Sequence, residues 1–179
     1  MRNICLLVFI INLSFGYSQD TNNSHNWFDT FNYKKTFSKN YNGWKVSYIG
    51  FNDSDTDFIL PFELSFGQNK AKTKALNRKG YESLDTYNIS PGFNGLIKIT
   101  SGFYLELGLN ASIGLEVLKD LNNTKSKNFL IGLSSNQGIK IIPWKEFGLV
   151  FGASVFETIQ TSKVYKTNLG FAFELGVNL

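Results

Sequence analysis

The chain has 179 residues, with 18 lysines and arginines against 14 acidic residues and a formal charge of +4. That length suits one domain, and so mild a basic excess is not the footprint of a nucleic-acid binder. One cysteine, Cys5, and one histidine, His25, leave no disulfide framework and little material for a metal site or a nucleophile–base pair.

The N-terminus reads as a secretory leader. Arg2 precedes the apolar run 4–11, continued by Leu13 and Phe15; the small residues Gly16 and Ser18 follow, then polar Gln19 and Asp20. This order of charge, apolar stretch and small-residue exit marks a signal peptide, and the run is too short for a membrane-spanning helix of about 20 residues. The expected organisation is a signal peptide over 1–18, a polar N-terminal segment over 19–27, and a single barrel domain over 28–179. Cleavage would remove Cys5, so packing or a membrane must stabilise the exported domain. With 16 Gly, 17 Phe, 8 Tyr and a single Met, the composition favours β-structure.

Eight strands are predicted, over 28–37, 44–51, 57–67, 87–100, 103–117, 128–142, 146–158 and 165–179. The signal is alternation. From Phe103 to Val117 every odd position is apolar, while the even positions include Glu106, Gly108, Asn110 and Glu116. Period two over such a run is a strand with two unlike faces. The C-terminal stretch repeats it, with Phe171, Phe173, Leu175, Val177 and Leu179 against Gly170, Ala172, Glu174, Gly176 and Asn178. Short connections are expected near 52–56, 101–102 and 143–145, and longer ones near 70–84 and 119–127, the asymmetry of a transmembrane barrel. Pro61 and Pro91 fall inside strands, where each is expected to mark a bulge or a displaced strand end.

The glycines decide which face points inward. Gly108, Gly114, Gly132, Gly138, Gly148, Gly152, Gly170 and Gly176 lie on the face that carries the charges. A narrow eight-stranded interior needs small residues to relieve crowding, and lipid does not. The fold expected is therefore all-β: an eight-stranded antiparallel up-and-down transmembrane β-barrel, polar inside and apolar towards lipid. Simple turn registers then align Lys98, Glu106, Lys140, Gly148 and Glu174 as one interior charge row, its signs alternating as buried charges require. Tyr87 and Tyr165 near the long-loop ends, and Phe103, Trp144 and Phe147 near the short turns, are expected to form two aromatic girdles. Lys70, Lys72, Lys74, Arg78 and Lys79 in the 70–84 loop are placed to meet the phosphates of lipopolysaccharide.

The leader, the alternating strands over 44–179 and the C-terminal strand resemble the small bacterial outer-membrane barrels of the OmpA-transmembrane and OmpX type. The resemblance implies an outer-membrane location in a Gram-negative envelope and assembly by the barrel-assembly machinery, which reads the last strand. Phe171, Phe173, Leu175 and Val177 match the usual alternation, and Leu179 departs from the usual terminal Phe. The resemblance is silent on activity.

Catalysis is not expected. His25 precedes the strands, whereas outer-membrane hydrolases and acyltransferases of similar architecture generally use a His beside a Ser. Asp53, Asp55 and Asp57 alternate in one turn without the Gly and bidentate Glu of a calcium loop, so they read as solvated. Glu106, Glu116 and Glu174 read as interior salt-bridging groups rather than a glycosidase pair. The expectation is a non-enzymatic, side-chain-filled barrel without cofactor, metal or nucleic acid, acting through its extracellular loops. Two alternatives stay open: a soluble exported lipocalin-like barrel that binds an apolar ligand, and an accessory component of an outer-membrane secretion or assembly complex.

Overall fold

The structure, a computed structural model, describes residues 26–53, 58–143 and 147–179. The leader over 1–18, most of the 19–27 segment with His25, the Asp55 and Asp57 positions and Trp144 lie outside the described residues. The β-segments are β1 Asn26–Ser38, β2 Tyr41–Asp53, β3 Phe58–Ile59, β4 Phe62–Ala71, β5 Tyr81–Thr100, β6 Phe103–Asp120, β7 Lys125–Ile141, β8 Gly148–Gln160 and β9 Thr167–Asn178; a short helix, α1, spans Thr73–Asn77. β3 and β4 are two parts of one staircase, so eight strands surround the barrel.

Each strand pairs antiparallel with its sequence neighbour, and β1 pairs with β9 to close the ring, as in Tyr33 opposite Leu175 and Phe37 opposite Phe171. The faintest strand in the sequence is thus a full one: residues 28–37 lie within β1, which begins at Asn26, inside the stretch expected to be a polar segment. A closed ring has no edge, so every strand must satisfy its ladder with two neighbours.

Pro61 marks a strand end, as expected, and Pro91 marks neither a strand end nor a bulge. At Pro61 the third strand breaks between β3 and β4, yet the register against β5 is the same on both sides: Ile59 faces Leu96 and Phe62 faces Phe93. Pro91 sits opposite Leu64 with no register shift around it. The bulges occur instead at Tyr81/Ser83 and Lys98/Thr100, both in β5 against β6. The connections also differ from expectation. β6 and β7 run on to a four-residue turn at 121–124, so 119–127 holds no long loop, and the longest connection on that side is 72–80, which contains α1.

The faces fall as the glycines imply. Large apolar side chains point outward on every strand: Tyr33, Val46, Leu64, Ile89, Ile113, Ile131, Phe151 and Phe173 are all exposed. Phe171 and Phe173 are 62% and 60% exposed, while Glu106 and Glu116, on the inner face, are 0%. A contiguous apolar girdle on all eight strands far exceeds what a water-soluble monomer leaves bare. An apolar-inside barrel of the lipocalin-like kind is excluded by the same orientation.

Inward glycines stand opposite inward asparagines: Gly176 faces Asn32, Gly43 faces Asn69, Gly114 faces Asn88, Gly92 faces Asn110 and Gly108 faces Asn136. In each pair the amide lies over the glycine, and a Cβ added at Gly108 would sit 2.0 Å from Asn136 Oδ1. The narrow lumen therefore uses one strand's missing side chain to house its neighbour's amide. Gly108→Val should destabilise the barrel by about 1–3 kcal/mol through overpacking, read as a lower urea midpoint in detergent micelles. Asn136→Ala in the same chain should recover part of that loss; no recovery would mean that the clash lies elsewhere.

Candidate functional site

The centre of the lumen is a closed ring of four charges. Lys34 Nζ lies 3.0 Å from Glu106 Oε1 and 3.0 Å from Glu174 Oε2; Lys140 Nζ lies 2.9 Å from Glu174 Oε1 and 3.5 Å from Glu106 Oε1. All four side chains are at most 5% exposed. Their formal charges cancel, which is the condition under which ions tolerate burial. The backbone explains the meeting. Lys140 on β7 faces Gly152 on β8, Gly152 faces Glu174 on β9, and Glu174 faces Lys34 on β1. Gly152 has no side chain to separate Lys140 from Glu174. Glu106 reaches the ring from β6 and accepts a 2.6 Å hydrogen bond from Asn94 Nδ2. Asn94 also approaches Glu63 at 3.5 Å, and Glu63 pairs with Lys45 at 3.0 Å.

Two apolar layers bracket this polar centre. At the end where β1 begins and β9 finishes, Ile49, Ile59, Leu96, Tyr104, Ile142 and Val150 fill the lumen. At the opposite end Tyr41, Ala71, Leu76, Leu84, Leu118, Val164 and Tyr165 form a plug. Leu76 is supplied by α1, and Val164 and Tyr165 by the 161–166 connection, so these connections fold inward as a lid. The lid is tied down at several points. Lys79 Nζ donates to the Val164 carbonyl at 2.7 Å and sits 4.4 Å from the Tyr165 ring centroid; Lys72 Nζ donates to the Ser38 carbonyl at 2.6 Å. Glu116 accepts from the Ser162 hydroxyl, from the Lys163 N–H at 3.3 Å and from Asn128 Nδ2 at 3.2 Å. Between the charge ring and the lid lies a cavity of about 100 Å³ lined by hydroxyls and amides, among them Thr86, Ser90, Ser112, Asn136 and Asn168. A polar cavity of that size suits a small cluster of ordered water.

Several predicted positions move. Lys98 is not in the charge ring: it faces Tyr104, and Leu96 faces Glu106. The tight turn pairs Thr100 with Phe103, one step from the expected register, and the bulge between Lys98 and Thr100 adds a second step, so Leu96 rather than Lys98 stands opposite Glu106. Gly148 likewise gives way to Gly152. Lys34 takes the place expected of Lys98. The signal for it was parity, since Lys34 is the charged inward position on β1, and an interior with Glu106 and Glu174 needs a second cation beside Lys140. Tyr165 lies inside the lid, not in an outer girdle, because it precedes β9 and strand alternation does not extend to it. Tyr87 points outward, its hydroxyl accepting from Gln68 Nε2 at 3.2 Å; Phe147 is exposed and Phe103 half-buried, both on the termini side. Of the basic 70–84 group, Lys70 lies within β4 next to its last residue, Lys72 and Lys79 are engaged as lid ties, and Lys74 and Arg78 belong to α1 and its C-cap. Among the described residues no three His, Cys, Asp or Glu side chains gather as a metal site, and no helix is long and apolar enough to cross a membrane.

The ring makes a sharp prediction. Lys34→Met should cost roughly 3–5 kcal/mol, because it leaves two buried carboxylates with one cation, whereas Lys98→Met should change stability by no more than about 0.5 kcal/mol. Adding Glu174→Gln to Lys34→Met should restore much of the loss. Urea titrations of the refolded variants check all three, and equal costs for Lys34 and Lys98 would contradict this arrangement.

No family model and no curated protein sequence matches the chain. Solved structures do. The crystal structure of Neisserial surface protein A is similar at a TM-score of 0.57 and 16% identity, over 88% of this chain and 99% of that one. The attachment invasion locus protein of Yersinia pestis is similar at a TM-score of 0.51 and 17% identity, over 87% and 97%. Its complex with the heparin analogue sucrose octasulfate gives 0.54 and 17%, over 88% and 100%. Identities this low speak to architecture alone, and on that they agree: the chain has the fold of the small outer-membrane β-barrels.

Proposed function

We propose that this protein is an integral, non-enzymatic barrel of a bacterial outer membrane, exported by a cleaved signal peptide, whose working surface is the end that carries α1. The single observation that carries the reading is the apolar girdle on all eight strands around a neutralised ionic interior, an arrangement that water would penalise and a bilayer rewards. Its lipid-facing residues include Phe93, Ile113 and Phe171. Tyr87, Phe103 and Phe147 belong to the interfacial aromatic belts of this reading, and the apolar alternation of β9 is what the assembly machinery would recognise.

Several features argue against catalysis. Glu106 and Glu174 are consumed in ion pairs, and Glu116 holds the lid. None of the three is left facing a substrate-sized opening. The interaction role rests on the opposite end from the termini, where the exposed Lys125 and Lys127 of β7 stand beside the β6–β7 turn. A barrel of the same fold has been crystallised with the polyanion sucrose octasulfate, which supports lipopolysaccharide as the anionic partner here. Accessory service in a secretion or assembly complex would use the same surface.

Outer membranes from cells expressing the full chain should hold a band that migrates faster unheated than boiled. A soluble periplasmic product with no heat shift would overturn the reading. The purified barrel should also show no steady ionic conductance in planar bilayers, because two apolar layers and the charge ring block the lumen; stable single-channel steps would contradict a filled interior.

A further inference from the structure

β5, β6 and β7 have 20, 18 and 17 residues, against 13 and 12 for β8 and β9. Since about 9–11 tilted residues cross a bilayer, the long strands rise past the rest of the barrel on the side opposite the termini. β7 pairs with β6 as far as Lys125, opposite Lys119, but with β8 only as far as Gly132, opposite Gln160. The projecting hairpin therefore shows one outer face and one edge to its surroundings.

That outer face changes character abruptly. Leu115, Phe129 and Ile131 are exposed members of the apolar girdle. Beyond them the outward positions are Val117 and Lys119 on β6 and Lys127 and Lys125 on β7, with Lys127 opposite Val117 and Lys125 directly opposite Lys119. Like charges opposite one another destabilise a sheet. Glu82 neutralises only Lys119, at 2.6 Å. Among the described residues no carboxylate lies within ion-pair distance of Lys125 or Lys127. Of the three cations only Lys119 is paired, and Lys125 and Lys127 stand exposed at the height where an apolar membrane surface gives way to phosphates.

Resting on the membrane reading above, we propose that Lys119, Lys125 and Lys127 on the β6–β7 hairpin form a phosphate-binding site for lipopolysaccharide of the outer leaflet, and that this hairpin rather than the 70–84 loop supplies the main contact. Two of the five cations in that loop are already engaged by main-chain carbonyls. The three hairpin lysines share one face beside the acyl region, where ammonium groups meet phosphate oxygens by charge-assisted hydrogen bonds.

The test uses the full barrel in detergent, titrated with lipopolysaccharide, with the same material dephosphorylated, and with phosphatidylglycerol nanodiscs as a second phosphate source. Lys125→Gln with Lys127→Gln should weaken binding of intact lipopolysaccharide roughly 30-fold and erase its preference over the dephosphorylated form. Lys70→Gln with Arg78→Gln should change it less than twofold. Heat-modifiable migration of each variant verifies that the barrel is folded. Unchanged affinity in the hairpin variant would overturn the site, and unchanged affinity with new self-association would assign the lysines to protecting the free β7 edge instead. Equal binding to phosphatidylglycerol would overturn the assignment to lipopolysaccharide. A chain that never folds in detergent would refute the membrane reading and this site together, whereas a folded chain indifferent to phosphate refutes the site alone.

Discussion

Everything else in this barrel depends on burying two lysines and two glutamates together. Lys34, Glu106, Lys140 and Glu174 come from β1, β6, β7 and β9, so their ring ties both sides of the closure seam between β1 and β9 to the far wall of the lumen. Removing one member leaves an unpaired charge that neither lipid nor the apolar end layers can solvate. The ring therefore acts as a register lock. A strand slipped by one residue would turn its charge to the bilayer, and a strand slipped by two would move it out of reach of its partners.

The glycine–asparagine pairs make that lock sterically possible. An eight-stranded lumen is too narrow for a full side chain at every inward position. Leaving Gly opposite Asn creates space in which amides lie flat against the wall, and the long Lys and Glu side chains can then cross the axis. Beyond this polar middle the two ends are finished differently. The termini side is closed by strand residues and Ile142, just past the end of β7, whereas the other side borrows Leu76 from α1 and Val164 and Tyr165 from the 161–166 connection. The end proposed to meet other molecules is thus built on connections pinned by Lys72, Lys79 and Glu116, a rigid platform rather than a set of free loops.

Much of this is legible in the amino-acid sequence, and the remainder has physical reasons for being hidden. Orientation is readable because small residues share a face with charges only where space is short. Strand existence is readable where alternation is clean, as in β6 and β9. β1 is faint because Lys35, an outward position, interrupts its apolar face. Register is not readable: the tight turn after Thr100 and the bulge between Lys98 and Thr100 each move β5 one residue against β6, and together they put Leu96 in place of Lys98 opposite Glu106. Tyr165 misleads because alternation, continued past the first residue of β9, assigns it to the wrong environment. The lid is invisible to periodicity, since five residues of α1 are too few to show a helical repeat.

The central claim is that the apolar face of these strands meets lipid and the polar face meets the lumen, and neighbouring residues on one strand test it most directly. Phe171 and Ala172 in β9 should be replaced singly by cysteine in a chain lacking Cys5, labelled with a small environment-sensitive fluorophore, and refolded into bilayers whose acyl chains carry bromine. The account predicts strong quenching at position 171 and little at position 172, where the side chain is only 4% exposed and faces the interior. Equal quenching at both positions, or quenching confined to 172, would contradict it.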